Sequence, residues 1–300
     1  MDTVTTANLT KRYGKHTVVE GLDLQIPAGC VYGFLGPNGS GKSTTMKLLL
    51  SLVRPSAGEV RILGEPMTRR TRRRQLARIG SLIEAPPGYT HLTGAENLRL
   101  VRRALGLSAD KIDWAVRTVR LDRQLDKKVA NYSLGMKQRL GIAMALARQP
   151  SLLILDEPTN GLDPAGIEEI RELLGNLARR GVTVMVSSHL LGEIDKTADR
   201  LGIISRGRLV FQGTRADLFA AATPAVLIDT PVPARAEEAL RGRIAASTLA
   251  GGIRIEGIDN AVTARVVADL VRSGVPIHGV RREEQSLEDV FLNLTSGGRL

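Results

Sequence analysis

The stretch Gly36-Pro37-Asn38-Gly39-Ser40-Gly41-Lys42-Ser43-Thr44, GPNGSGKST, decides the fold. It has the spacing G-x-x-x-x-G-K-[ST] of a phosphate-binding loop. Residues 30–35, CVYGFL, form a continuous apolar run just before it, as expected of a strand buried in a parallel sheet. Residues 42–53 follow with helical spacing of apolar side chains, and Pro55 ends that segment. A buried strand entering a Gly-rich turn that opens a helix is the context the pattern requires. Such a loop turns its backbone N–H groups inward around an anion, and the helix beginning at Lys42 aims its positive end at the same place. Lys42 is expected to reach the β- and γ-phosphates of a nucleotide, and Ser43 to ligate Mg²⁺.

Working outward, residues 152–157, LLILDE, carry two carboxylates off the end of a second buried strand. Open α/β sheets bind ligands at the carboxyl ends of their strands. Asp156 is expected to help hold Mg²⁺, and Glu157 to polarise an attacking water. Strands alternate with helices along most of the chain. Strands are read at 4–9, 17–26, 30–35, 59–63, 79–83, 151–155 and 182–187, with a late hairpin at 201–204 and 208–211. Residues 94–148 read as helical, and so do 164–180 and the Arg-rich segment between the strands at 59–63 and 79–83. That pattern predicts a mainly parallel sheet covered on both faces. A seam falls near 221–225, AATPA. Beyond it the pattern reads strand 226–230, helix 234–241, strand 252–256, helix 261–273, strand 276–282 and helix 286–294, a small α+β unit.

Composition narrows the setting. Cys30 is the only cysteine, so no disulfide framework is possible, and its apolar surroundings predict a buried core thiol. The first fifteen residues lack a basic start followed by an apolar stretch. No window reaches the ~18 apolar residues of a spanning helix. The chain is expected to be soluble, and work at a membrane would need a partner that spans. Net charge is +11, unevenly placed: residues 1–221 carry 33 Lys/Arg against 21 Asp/Glu, and residues 222–300 carry 9 against 10. Much of the excess lies in 69–78, RRTRRRQLAR. That run fits nucleic acid, anionic lipid head groups or a solvated helix face, although the aromatic interleaving of a single-strand binder is missing.

Between the loop and the carboxylates lies 132–138, YSLGMKQ, followed by a helix. Here the chain resembles the ATP-binding cassette, the nucleotide-binding subunit of ABC transporters, whose signature L-S-G-G-Q stands ahead of a helix. Ser133 and Gly135 are kept, and Leu134 and Met136 depart from the pattern. Other elements fall in family order: Tyr13 matches the aromatic that stacks on adenine, 161–164 (GLDP) the loop after the base, and His189 the switch histidine at the γ-phosphate. Residues 81–88, SLIEAPPG, put Glu84 where most cassettes place Gln, in a loop that faces the membrane partner and touches Mg²⁺ and the attacking water. The phrase around it, IGSLIEAPPGYTHLTGAENL, resembles cassettes that export bacitracin or lantibiotics, and 286–295, SLEDVFLNLT, resembles the end of drug-efflux cassettes.

The resemblance implies an α/β P-loop NTPase cassette over 1–221, with a helical subdomain at about 94–148, and an accessory domain over 222–300. It implies an ATPase that binds MgATP on the cytoplasmic side of the plasma membrane and powers a separate transmembrane permease. The cargo implied is an antimicrobial peptide or other drug. Ser133 and Gly135 would serve the γ-phosphate held by a second cassette, so a pair of cassettes is implied. No specific nucleic acid is expected. Two other classes compete: a soluble ATP-driven switch on nucleic acid or ribosomes, and a phosphotransferase. The single cassette without a long coiled coil speaks against the first, and the signature at 132–138 against the second.

Overall fold

The computed structural model describes residues 2–84, 88–190, 192, 197–221, 225–283 and 290–291. The chain divides into two compact units, Met1–Arg215 and Ala216–Leu300.

The first unit holds two sheets. The N-terminal residues form β1 (Asp2–Tyr13), which pairs antiparallel with β2 (His16–Leu22), β3 (Gln25–Pro27) and β5 (Ala57–Ile62). A short β6 (Glu65–Pro66) completes this sheet. The expected strand at 17–26 is therefore two strands, both bonded to β1. The second sheet has the order β11-β10-β4-β9-β8-β7. Its members are β4 (Val31–Leu35), β7 (Ile79–Leu82), β8 (Leu152–Leu155), β9 (Thr183–Ser188), β10 (Arg200–Ser205) and β11 (Arg208–Gly213). All neighbours are parallel except β11, which forms a hairpin with β10. Every residue of β4, β8 and β9 is buried, which explains their continuous apolar runs. Met46 and Leu49 of α1 (Lys42–Leu49) share one core with Val4 and Ile26 of the antiparallel sheet and with Phe34 and Ile154 of the parallel one.

The Arg-rich segment contributes a short helix, α2 (Arg72–Leu76). The helical stretch after it is broken into α3 (Gly94–Leu105), α4 (Ala109–Thr118) and α5 (Leu134–Leu146), with two 3₁₀ turns between α4 and α5. Thr93 and Glu96 form a reciprocal capping box at the start of α3, and Gly106 ends it in the left-handed conformation, φ 62°. Helix α6 (Pro164–Arg179) joins β8 to β9, and α7 (Arg215–Ala221) follows β11.

The second unit runs β12 (Val226–Asp229), α8 (Pro233–Leu240), β13 (Ala246–Leu249), β14 (Gly252–Ile255), α9 (Asn260–Arg272) and β15 (Gly279–Arg282). Its sheet has the order β13-β14-β12-β15, antiparallel throughout. That is the β-α-β-β-α-β split arrangement of ferredoxin-like folds. Val226, Ile228, Ile253 and Ile255 pack on Ala236, Leu240, Val266 and Leu270 of the two helices. The strand at Ala246–Leu249 has no counterpart in the sequence reading. The helix expected at 286–294 lies outside the described residues except for Val290 and Phe291. Among the described residues, no helix is long and apolar enough to cross a membrane.

Candidate functional site

The carboxyl ends of β4, β8 and β9 converge at the phosphate loop. Gly36 leads out of β4, and Gly41 caps the start of α1 at φ 108°, where a Cβ would meet the Val18 carbonyl oxygen at 2.8 Å. That cap has no side-chain acceptor, and the first turn of α1 holds no acidic residue. The opening N–H groups of α1 are thus left for an anion. Pro37, Asn38 and Gly39 form the exposed crest of the loop, while Ser40 turns inward. The Ser40 hydroxyl is buried with no hydrogen-bond partner. Ser43 and Thr44 stand half-buried on the first turn of α1.

Lys42 is 6 % exposed. Its Nζ donates to the carbonyl oxygens of Gly36 at 2.7 Å and Pro37 at 3.3 Å, and lies 3.5 Å from Glu157 Oε1. Burial pulls its pKa down, and Glu157 and then Asp156 oppose that shift. The other oxygen of Glu157, Oε2, lies 2.9 Å from His189 Nδ1. Lys42, Glu157 and His189 therefore form one chain of contacts across three strand ends. Glu157 sits in the left-handed region at φ 47°, an uncommon conformation for a non-glycine residue. Its backbone N–H donates to Ser187 Oγ at 2.9 Å, and the Ser187 hydroxyl donates to Asp156 Oδ1 at 2.6 Å. Ser187 was missed in the sequence, although it sits in an apolar strand two residues before His189.

Glu84 lies at the end of β7, also left-handed at φ 65°. Its carboxylate is paired with the Lys47 ammonium of α1, four residues and hence about one helical turn beyond Ser43. The hydrogen bond to Glu84 is the main cause of the raised pKa of Lys47. Ala85, Pro86 and Pro87 lie outside the described residues. Tyr13 is half exposed, and the Lys11 ammonium stands 4.7 Å from its ring centre. Among the described residues no aromatic ring packs against Tyr13.

Ser133 and Gly135 do not join this cluster. Ser133 caps α5 and accepts a hydrogen bond from the Met136 N–H at 3.2 Å. Leu134 packs against Gly161, and Leu162 lies 3.7 Å from the Cβ position of Gly135. Arg139 of α5 pairs with Glu169 of α6. Among the described residues no hydrogen bond or ion pair links Ser133 or Gly135 to the phosphate loop.

The arrangement fits a nucleotide with Mg²⁺. The loop offers free N–H groups, an unsatisfied buried hydroxyl and a buried ammonium, all donors suited to phosphate oxygens. Among the described residues no group of three or more His, Cys, Asp or Glu could hold a metal alone. Ser43 at the start of α1 and Asp156 just after β8 offer the one or two protein oxygens that Mg²⁺ takes together with substrate phosphates.

The sequence profile of the ABC transporter family matches residues 19–160. The chain is 39 % identical to a bacitracin transport ATP-binding protein of Enterococcus faecalis, over 98 % of this chain and 97 % of that one. It is 45 % identical to a lantibiotic transport ATP-binding protein of Streptococcus pyogenes, over 68 % of this chain and 88 % of that one. The solved structure of an ATP-binding subunit of an ABC transporter superposes with a TM-score of 0.65 at 31 % identity, covering 72 % of this chain and 92 % of that one. With the phosphate loop, the paired carboxylates and this likeness together, the chain belongs to the ABC transporter family as an ATP-binding subunit, an ATPase coupled to transport.

Proposed function

We propose that this subunit binds MgATP at 36–44 and powers the export of an antimicrobial peptide or related drug through a separate transmembrane permease. The observation that carries the chemistry is the continuous contact Lys42–Glu157–His189 at the mouth of the phosphate loop. Glu157 accepts a proton from the attacking water, and His189 fixes the carboxylate's orientation and reaches the γ-phosphate. Lys42 binds the β- and γ-phosphates. Ser43, Asp156 and Glu84 hold Mg²⁺, which supplies neutralisation of charge on the phosphates when bound. Tyr13 stacks on adenine with the face opposite Lys11. Ser133 and Gly135 serve the ATP of a second copy of this chain. The subunit is cytoplasmic and held at the inner face of the plasma membrane by the permease, and the second unit is an accessory domain.

Support for the cargo comes from relatives named for bacitracin and lantibiotic transport. The test is co-expression with a candidate permease in a peptide-sensitive host. Resistance to bacitracin or a lantibiotic should appear with the wild-type chain and vanish with Glu157→Gln. ATPase activity without peptide export would leave the enzyme assignment and remove the cargo.

A further inference from the structure

The Arg-rich run plays no part in the ATP site, and the fold gathers more arginines around it. Arg54 follows α1, Arg61 lies on β5, and Arg69 and Arg72 come from the run itself. These four line one groove of about 540 Å³, with Glu59 as the only acidic lining residue. Arg70 and Arg73 adjoin them in sequence, and all six arginines are exposed. Among the described residues none of the six has a carboxylate partner; the Arg61 guanidinium reaches only the Gly64 carbonyl, at 3.5 Å. Arg74, in contrast, is paired with Glu65 at 2.5 Å. The groove is not polar throughout. Val53, Val60, Pro66 and Met67 supply an apolar floor.

We propose that this groove is a direct contact site for anionic phospholipid head groups. The inference rests on the reading that the chain works beside a membrane-embedded permease. Four guanidiniums without a carboxylate partner in one groove create a field that anions relieve, and guanidinium matches phosphate oxygens in bidentate fashion. The apolar floor then discriminates among anions. A lipid presents phosphate and, next to it, glycerol and acyl carbon, so it satisfies both rim and floor. Nucleic acid offers phosphate without the apolar neighbour, and the patch lacks aromatic side chains for base stacking. An acidic protein segment matches both halves as well. The lipid is favoured because it is present at high local density wherever the permease is embedded. The basic excess of the chain lies in residues 1–221, as direct contact with an anionic surface requires.

The experiment is co-sedimentation of the full purified chain with vesicles. One set is phosphatidylcholine alone, and the other contains about 30 % phosphatidylglycerol, both at near-physiological salt. Binding is expected to the anionic vesicles only. Each basic side chain at such a surface is worth about fivefold in partitioning. Arg61→Gln, Arg69→Gln and Arg72→Gln together should therefore lower it on the order of 10²-fold, and the corresponding Arg→Lys triple, which keeps the charge and loses the bidentate fork, should lower it less. Binding of a fluorescent ATP analogue should be unchanged in both, which verifies the fold. Arg235→Gln, Arg241→Gln and Arg272→Gln remove the same charge from the second unit and should have little effect. An equal loss in that control would mean a net-charge effect, and the patch would not be a site. Equal binding to neutral vesicles would overturn the proposal too. So would tighter binding of an amphipathic Glu/Leu peptide through the same arginines, which would make the occupant a protein. Because the readout needs neither permease nor turnover, failure here leaves the ATPase reading standing.

Discussion

Glu157 is gripped from two sides, by Lys42 and His189, and its backbone is held in a left-handed conformation. Glu157→Gln keeps the shape and removes the base, so hydrolysis should fall roughly 10²-fold or more. Titration with a fluorescent ATP analogue should show binding retained. Glu84 is a different kind of carboxylate. It is 65 % exposed and its partner is Lys47. An exposed pair of this kind is worth about 0–1 kcal/mol. Lys47→Met frees Glu84 for Mg²⁺, so the Mg²⁺ needed for half-maximal nucleotide binding should fall by up to about fivefold. Glu84→Gln should keep measurable hydrolysis; if it abolishes turnover as fully as Glu157→Gln, Glu84 is a base and the metal assignment is wrong. Cys30 adds a pH effect. Burial, then Asp199, pushes its thiol up to about 11. A raised pKa shrinks the thiolate fraction, to on the order of 10⁻³ near pH 8. Alkylation by iodoacetamide should be slow in the native protein and become fast on unfolding. The phosphate loop and the aspartate–glutamate pair were legible in the sequence because they are short and contiguous. Lys47 and Ser187 were not, since their partners lie 37 and 31 residues away and only the folded sheet brings them together.

Elements were legible where one local rule decided them. The fully buried strands β4, β8 and β9 announce themselves as apolar runs, and α6 begins at Pro164 just after the capping Asp163. The antiparallel sheet was harder to read. Its strands are recognisable singly, but their pairing with β1 rather than with the parallel sheet is a long-range choice. Residues 94–148 looked uniformly helical because apolar spacing continues through turns that Gly106 and Ser133 interrupt. Ser133 caps α5 with its side-chain hydroxyl. Ser133→Ala removes the acceptor for the Met136 N–H, at a cost of about 1 kcal/mol. Thermal unfolding should shift down by about 2–4 °C. Ser133→Asp keeps a good cap but places a carboxylate where a partner's γ-phosphate would sit. Its melting temperature should stay near wild type while ATP-driven pairing of cassettes is lost. ATP-driven pairing retained in Ser133→Asp would show that Ser133 only caps the helix.

At the scale of the whole molecule, the sequence placed the seam at 221–225, where composition changes, while the compact units part between Arg215 and Ala216. The partition assigns nearly all of α7 to the second unit, ahead of the composition change. The larger consequence concerns what one chain lacks. The phosphate loop, Glu157 and His189 are brought together, yet among the described residues Ser133 and Gly135 are bonded only to their own neighbours around α5. On the reading proposed above, they serve the nucleotide of another copy. A two-fold pair then completes two sites at once, each loop facing the other chain's Ser133. ATP would act as the joint, and hydrolysis would release it. Glu157→Gln blocks the release, so this variant should accumulate as a dimer in saturating MgATP. Light scattering should give twice the chain mass of 32.3 kDa with MgATP and the chain mass without it. Adding Ser133→Asp to Glu157→Gln should restore the monomer while nucleotide binding persists, because the loop and Lys42 are untouched. A Glu157→Gln chain that binds ATP and stays monomeric would place Ser133 and Gly135 outside the reaction, and the site would have to be complete within one cassette.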